Sequence, residues 1–281
     1  MLVTTLDERA RTVGRSNKQE NSMNFAYLKA LGLALALSSA MAGAAQAQVV
    51  GGTSDSSKVT IAASTVVGGP HTAGKVGIHV PNLASGQYID FQGLQSVLGT
   101  DANGVTTFTA VTGTVTDHSQ YGRFDFAKVS GYDIYFGEWK QTASVTAGDH
   151  TVYYGGTGAS TSVPSSGSAS YSVKGISDYQ GKGILNGTFN ASFTGSGGTL
   201  TGSLANAGGT YGVNIGTATI TSGGTFAGAG GSATGAGGTP LASSGVVSGR
   251  FFGSNVNALA GTVAFSGTNR QYSTAFGGTK N

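Results

Sequence analysis

Apolar and small side chains alternate through residues 247–265, and that alternation constrains the chain more than any other feature. Val247, Gly249 and Phe251 alternate with Ser248, Arg250 and Phe252; after Gly253 and one polar turn, Leu259, Gly261, Val263 and Phe265 alternate with small or polar partners. A period of two puts successive side chains on opposite faces, so the segment reads as strand, tight turn, strand, half-buried on one side. Gly253 and Gly261 suit places where the backbone takes a positive φ or two layers approach closely, as in a tightly curved sheet.

The same pattern recurs along the chain. Strands are expected at Val59–Val67, Lys75–Val80, Tyr88–Phe91, Val105–Val115, Arg123–Val129, Tyr132–Trp139 and Val152–Gly155, then at Tyr171–Gly175, Leu185–Phe193, Thr199–Leu204, Tyr211–Ile215 and Ala218–Ile220. Glycine supplies 49 of the 281 residues, yet the Gly/Ala/Ser/Thr runs are broken every few residues by Val, Leu, Ile, Phe or Tyr at strand spacing, which points to a folded all-β chain. Up-and-down strands with short turns leave open edges unless the sheet closes, and a barrel removes those edges. The polar stretch 157–168 has a linker's composition and divides an N-terminal β domain, 48–156, from a C-terminal barrel, 169–281. Gly223–Gly238, with Phe226 as its one large residue, reads as a long loop.

Met23 opens a second pattern: Lys29, an apolar run Ala30–Leu37, and small residues ending in Ala45-Gln46-Ala47. That is the architecture of a secretory signal peptide over 23–47, with cleavage expected after Ala47 and an apolar core too short to anchor permanently in a bilayer. Residues 1–22 are then a mis-assigned start or an extension. The chain has no cysteine, so neither a lipid anchor nor a disulfide framework is expected, and the protein is expected to be secreted without lipidation. Of 15 basic and 12 acidic residues, five and three fall in the first 47, leaving ten against nine with no basic cluster and no footprint for nucleic acid.

The turn at Gly253, with Phe251-Phe252 before it and Ala258-Leu259-Ala260-Gly261 after it, resembles the last hairpin of the C-terminal barrel in transferrin-binding protein B and its relatives. The tail Thr274-Ala275-Phe276-Gly277-Gly278-Thr279-Lys280 is similar to the closing strand of the hemophilins, secreted haem-binding members of that group. Ile134–Trp139 and Tyr171–Ile176 fit the same family. The resemblance implies a β-rich, clamp- or sandwich-like ligand-binding domain followed by an eight-stranded antiparallel barrel. It further implies haem b as cofactor, export by the Slam outer-membrane translocon through type XI secretion, a TonB-dependent haem receptor as a further partner, and a monomer.

Catalysis finds little support. There is no Gly-x-Ser-x-Gly elbow, no His-Glu-x-x-His motif, and the acidic residues after position 47 are scattered singly, so no enzyme is expected. The chain's four histidines are His71, His79, His118 and His150. Haem iron accepts neutral imidazole as an axial ligand, and His118 is the leading candidate because its loop also holds Tyr121, a ring for porphyrin stacking, and Arg123, a partner for a propionate. His71, after Pro70 in a glycine-rich loop, is the second. His79 lies on the face opposite Val76, Ile78 and Val80. It cannot share an iron with His71 directly if the chain between them is extended, since eight residues then span about 26 Å and axial nitrogens lie about 4 Å apart. A second ligand is therefore expected from another segment. Tyr88, Tyr121 and Tyr135 are candidate pocket walls, most of the other aromatics are expected in the core, and His150 is expected to be structural. The reading is a hemophore; a cofactor-free adhesin or host-protein-binding barrel, or a carrier of another apolar molecule, are the alternatives.

Overall fold

A computed structural model describes residues 48–109, 118–142 and 144–281. The expected signal peptide with its cleavage point, residues 1–22, and the end of the strand expected at Val105–Val115 lie outside the described residues.

The C-terminal half is a closed antiparallel barrel of eight strands: β9 (Gly167–Ile176), β10 (Leu185–Thr194), β11 (Gly197–Asn206), β12 (Tyr211–Thr221), β13 (Thr225–Gly235), β14 (Pro240–Phe252), β15 (Ala258–Ala264) and β16 (Thr274–Lys280). Each pairs with the next, and β16 closes the ring on β9 through Ala275 opposite Ile176 and Gly278 opposite Val173. Alternation decides which side chains go in. Along β10, Leu185, Phe189, Ala191 and Phe193 are buried while Asn186, Asn190 and Ser192 are exposed. Tyr171, Phe189, Phe193, Phe226, Phe251 and Phe276 meet inside, with Phe226 and Phe251 ring centroids 5.4 Å apart, so the lumen is a packed core.

The segment expected to be a loop at Gly223–Gly238 is instead largely strand β13. It pairs with β12 through Phe226 opposite Ile220 and with β14 through Phe226 opposite Gly249. Its inward positions after Phe226 are Gly231 and Ala233, both buried. Period-2 reading depends on large inward residues; where neighbouring strands already fill the lumen, small ones are what fit, and the signal vanishes.

The N-terminal half has two sheets. β1 (Val50–Thr53), β8 (Thr151–Gly156), β7 (Ile134–Lys140), β6 (Arg123–Lys128) and β5 (Val105–Phe108) lie side by side in that order, all antiparallel. A smaller sheet holds β2 (Thr60–Ala63), β3 (Val76–His79) and β4 (Ile89–Asp90). Val76, Ile78 and Val80 pack with Phe124, Phe126, Tyr135, Trp139 and Tyr153 in one apolar core, so this face is sandwich-like. The opposite face of the large sheet, through Val129, Ile134, Phe136 and Val152, packs on the outside of the barrel at Ile176, Phe252, Ala258, Ala260 and Ala275. Strand β7 lies between the two layers and is buried at every position.

The strand expected at Tyr88–Phe91 ends at Asp90, and the chain turns into helix α1 (Phe91–Leu98). The Asp90 side chain accepts the Gly93 N–H, an N-cap that satisfies one of the otherwise unpaired amides of the first turn. Phe91 and Leu94, three apart, face the core. The Asp-before-apolar signal was in the sequence but a helix this short carries little periodicity. Within the barrel connections, α2 (Tyr179–Lys182) is a single turn after β9.

Candidate functional site

His71 lies in the connection between β2 and β3, at the end of a tight hairpin in which Gly68 and His71 exchange backbone hydrogen bonds of 3.2 and 3.1 Å. Gly68 and Gly69 both take positive φ there, which glycine does without steric cost. The loop comes back against the N-terminus of α1, and His71 Nδ1 stands 2.9 Å from Asp90 Oδ2. The same carboxylate oxygen accepts the Thr72 N–H at 3.0 Å.

His118 precedes a short 3-10 turn, Ser119–Tyr121, whose Tyr121 N–H donates to the His118 carbonyl at 3.1 Å. The Trp139 indole N–H donates to the Tyr121 carbonyl at 2.8 Å, which ties that turn to β7. The His118 ring meets Phe108 edge-on at 6.0 Å and Tyr121 at 5.8 Å.

These two histidines line one cavity of about 190 Å³. Tyr121 and Gln87 supply its other polar groups; Val66, Leu83, Ile89, Leu94, Phe108 and Phe124 make the wall apolar. Segments far apart in sequence, the β2–β3 loop and the connection before β6, thus bring two imidazoles to one apolar pocket. Two larger grooves, of about 660 and 380 Å³, are lined mainly by Ser, Thr and Gly or by Lys, Ser and Gly, and neither carries a histidine among its described residues.

The other expected site residues are placed elsewhere. His79 points away from the core, its Nδ1 2.8 Å from the Gln87 carbonyl and its ring 5.7 Å from Tyr88. Tyr88 accepts a hydrogen bond from Thr60 at 3.2 Å and is not part of the cavity wall. Tyr135 is fully buried, stacked on Phe91 at 5.0 Å, and burial pushes its phenol well above its ordinary value. Arg123 donates through Nε and Nη2 to both oxygens of Asp125, at 2.7 and 2.8 Å. Burial pushes the Asp125 carboxyl up, and the bidentate guanidinium opposes that shift, so Arg123 serves a buried carboxylate of its own strand. His150 is buried, with Nε2 2.8 Å from Glu138 Oε2 and Nδ1 3.1 Å from the Arg270 carbonyl.

Sequence reasoning missed Asp90, Leu94 and Phe108 as site residues. Only Asp90 left a trace, as a helix-capping residue type ahead of Phe91.

Residues 44–151 match a family described as the HphA N-terminal heme-binding domain, and residues 161–280 match its HphA C-terminal domain. The chain belongs to the hemophilin family. Its N-terminal half is thus the hemophilin haem-binding domain, and the cavity between His71 and His118 lies within it. The residues present fit a haem in kind: imidazoles that can bind iron, aromatic rings and an apolar wall. Among solved structures, the hemophilin fold is similar to HpuA from Kingella denitrificans, determined in complex with human haemoglobin, at 16% identity and a TM-score of 0.54 over 85% of this chain and 89% of that one. A variant of transferrin binding protein B from Haemophilus parasuis Hp5 matches at 18% identity and a TM-score of 0.46, over 83% of this chain and 45% of that one. Intact Ap-TbpB, with its N and C lobes, matches at 15% identity and a TM-score of 0.46, over 83% and 46%. The hemophilin chain spans about half the length of those two proteins.

Proposed function

We propose that the protein is a secreted hemophore that holds haem between His71 and His118 and carries it for iron acquisition. The observation that carries this reading is the convergence of two imidazoles, from separate segments, on one apolar cavity. Bound there, haem would supply the iron that both rings ligate, while Phe108, Phe124 and Leu94 exclude water from it. Tyr121 would lie against the porphyrin. A cavity of about 190 Å³ is smaller than the roughly 300 Å³ at which ligand pockets usually begin, so haem entry widens it. The proposal includes the b-type form of the cofactor, export by Slam after cleavage near Ala47, transfer to a TonB-dependent receptor, a monomeric state and no catalytic activity.

The test is a hemin titration of the purified protein. Wild type is expected to give a saturable Soret band with a single haem per chain and a low-spin ferric spectrum from two axial nitrogens. His118→Ala and His71→Ala should each convert that spectrum to high spin or abolish it, whereas His79→Ala should not. If both variants keep the wild-type spectrum, the ligand assignment is wrong. The HpuA neighbour, solved with human haemoglobin, supports a second reading in which the fold docks a host protein. A protein that stays colourless with hemin but binds haemoglobin would favour it.

A further inference from the structure

Asp90 is only 1% exposed, and three donors from two separate pieces of the chain converge on its carboxylate. His71 Nδ1 and the Thr72 N–H meet Oδ2 at 2.9 and 3.0 Å, and the Gly93 N–H meets Oδ1. A carboxylate offers only acceptors, so this contact puts the imidazole proton on Nδ1 and leaves the lone pair on Nε2. The ring is also fixed in place. A Cβ on Gly93 would come within 2.6 Å of His71 Nδ1 and 2.7 Å of the Pro70 carbonyl, so the helix backbone itself abuts the edge of the imidazole.

Resting on the assignment of His71 as an iron ligand, we propose that Asp90 is a positioning residue that sets His71 as a strong donor through Nε2 and biases the site toward ferric haem. Two effects act together. The hydrogen bond from Nδ1 raises the basicity of Nε2, the arrangement that commonly orients and tunes metal-bound histidine. The buried negative charge also favours the oxidation state with one more positive charge, and in a site shielded from water that preference is little screened. Asp90 thereby makes the pocket selective for ferric over ferrous haem, the form that prevails outside a reducing compartment.

Asp90→Asn is the informative variant: asparagine caps a helix about as well as aspartate and keeps an oxygen for the Gly93 N–H, but it loses the charge and turns an amide NH2 toward His71 Nδ1 and the Thr72 N–H, so the hydrogen bond from Nδ1 is lost with it. With the full chain loaded with hemin, the ratio of ferric to ferrous affinity is expected to fall about tenfold, read as a rise in midpoint potential of about 59 mV in a spectroelectrochemical titration. Circular dichroism and the low-spin band should stay close to wild type. If Asp90→Asn does not fold, Gly93→Ala, which displaces His71 from the carboxylate, should move the potential in the same direction. A folded, low-spin variant with an unchanged potential overturns the proposal. If instead His71→Ala leaves the hemin spectrum as in wild type, His71 is not a ligand, and this inference fails together with the placing of haem between two histidines, while hemin binding through His118 would stand.

Discussion

Gly277 of the barrel lies so close beneath Phe136 of the N-terminal sheet that a Cβ at position 277 would stand 2.5 Å from the Phe136 ring and 2.8 Å from Val129. Both layers are buried here, and the Phe136 ring of β7 packs directly on the backbone of β16. The missing side chain lets the large sheet lie directly on the barrel wall.

Gly277→Val should therefore force the two halves apart. Overpacking of this kind costs about 1–3 kcal/mol. The expected outcome is a lower urea midpoint and a thermal transition that splits into two, since the barrel core around Phe251 does not include this contact. A single, unshifted transition would show that the two layers do not depend on this approach.

Acid should loosen the same junction. Glu138 is wholly buried; burial pushes its carboxyl up, but His150, the Lys140 charge and the Tyr179 N–H outweigh that and hold it at about 2 against an ordinary 4.5. Its oxygens lie 2.8 Å from His150 Nε2, 3.4 Å from Lys140 Nζ and 2.8 Å from the Tyr179 N–H. A depressed folded pKa contributes stability that is complete above 4.5 and lost as pH falls toward 2. Urea melts across that window should show a falling midpoint in wild type and a flatter one in Glu138→Gln. At neutral pH the variant should be weaker by about 1–3 kcal/mol, because His150 loses the carboxylate and Lys140 keeps only Asp178, 3.2 Å away.

Hemin should alter hydrogen exchange most in residues 66–69. Val66 lines the cavity, Val67 is exposed, and Gly68 and Gly69 have open space around the position of a Cβ, so this loop is the wall that yields with least loss of packing. Exchange there is expected to slow on binding while the barrel strands stay unchanged. Protection confined to the barrel would place the ligand elsewhere.

The barrel alone, expressed as 161–281, should bind no hemin and should be poorly soluble. Phe252, Ile176, Ala258, Ala260 and Ala275 form an apolar strip on its outer wall that the N-terminal sheet covers. Exposing such a patch favours association. Phe252→Ser in the fragment should restore a monomer by gel filtration, and a soluble wild-type fragment would show that the strip is tolerated in water.

The sequence by itself determined the β character of the chain and most of the barrel, because alternation is a property of neighbours along the chain: Phe189, Ala191 and Phe193 need no distant partner to declare an inward face. It also supplied the two histidines, His71 and His118, and placed His79 on an outward face opposite Ile78. Tertiary structure decided the rest. Strand β13 was hidden because Gly231 and Ala233 are sized to fit neighbours contributed by other strands. That His71 and His118 meet at one cavity and that Asp90 stands behind His71 depend on how loops from different strands pack together, whereas Arg123 and Asp125 are neighbours two apart on one face of β6. A one-dimensional pattern records which face a residue takes, but not which distant residue faces it, because that is set by the closure of two layers over a shared core.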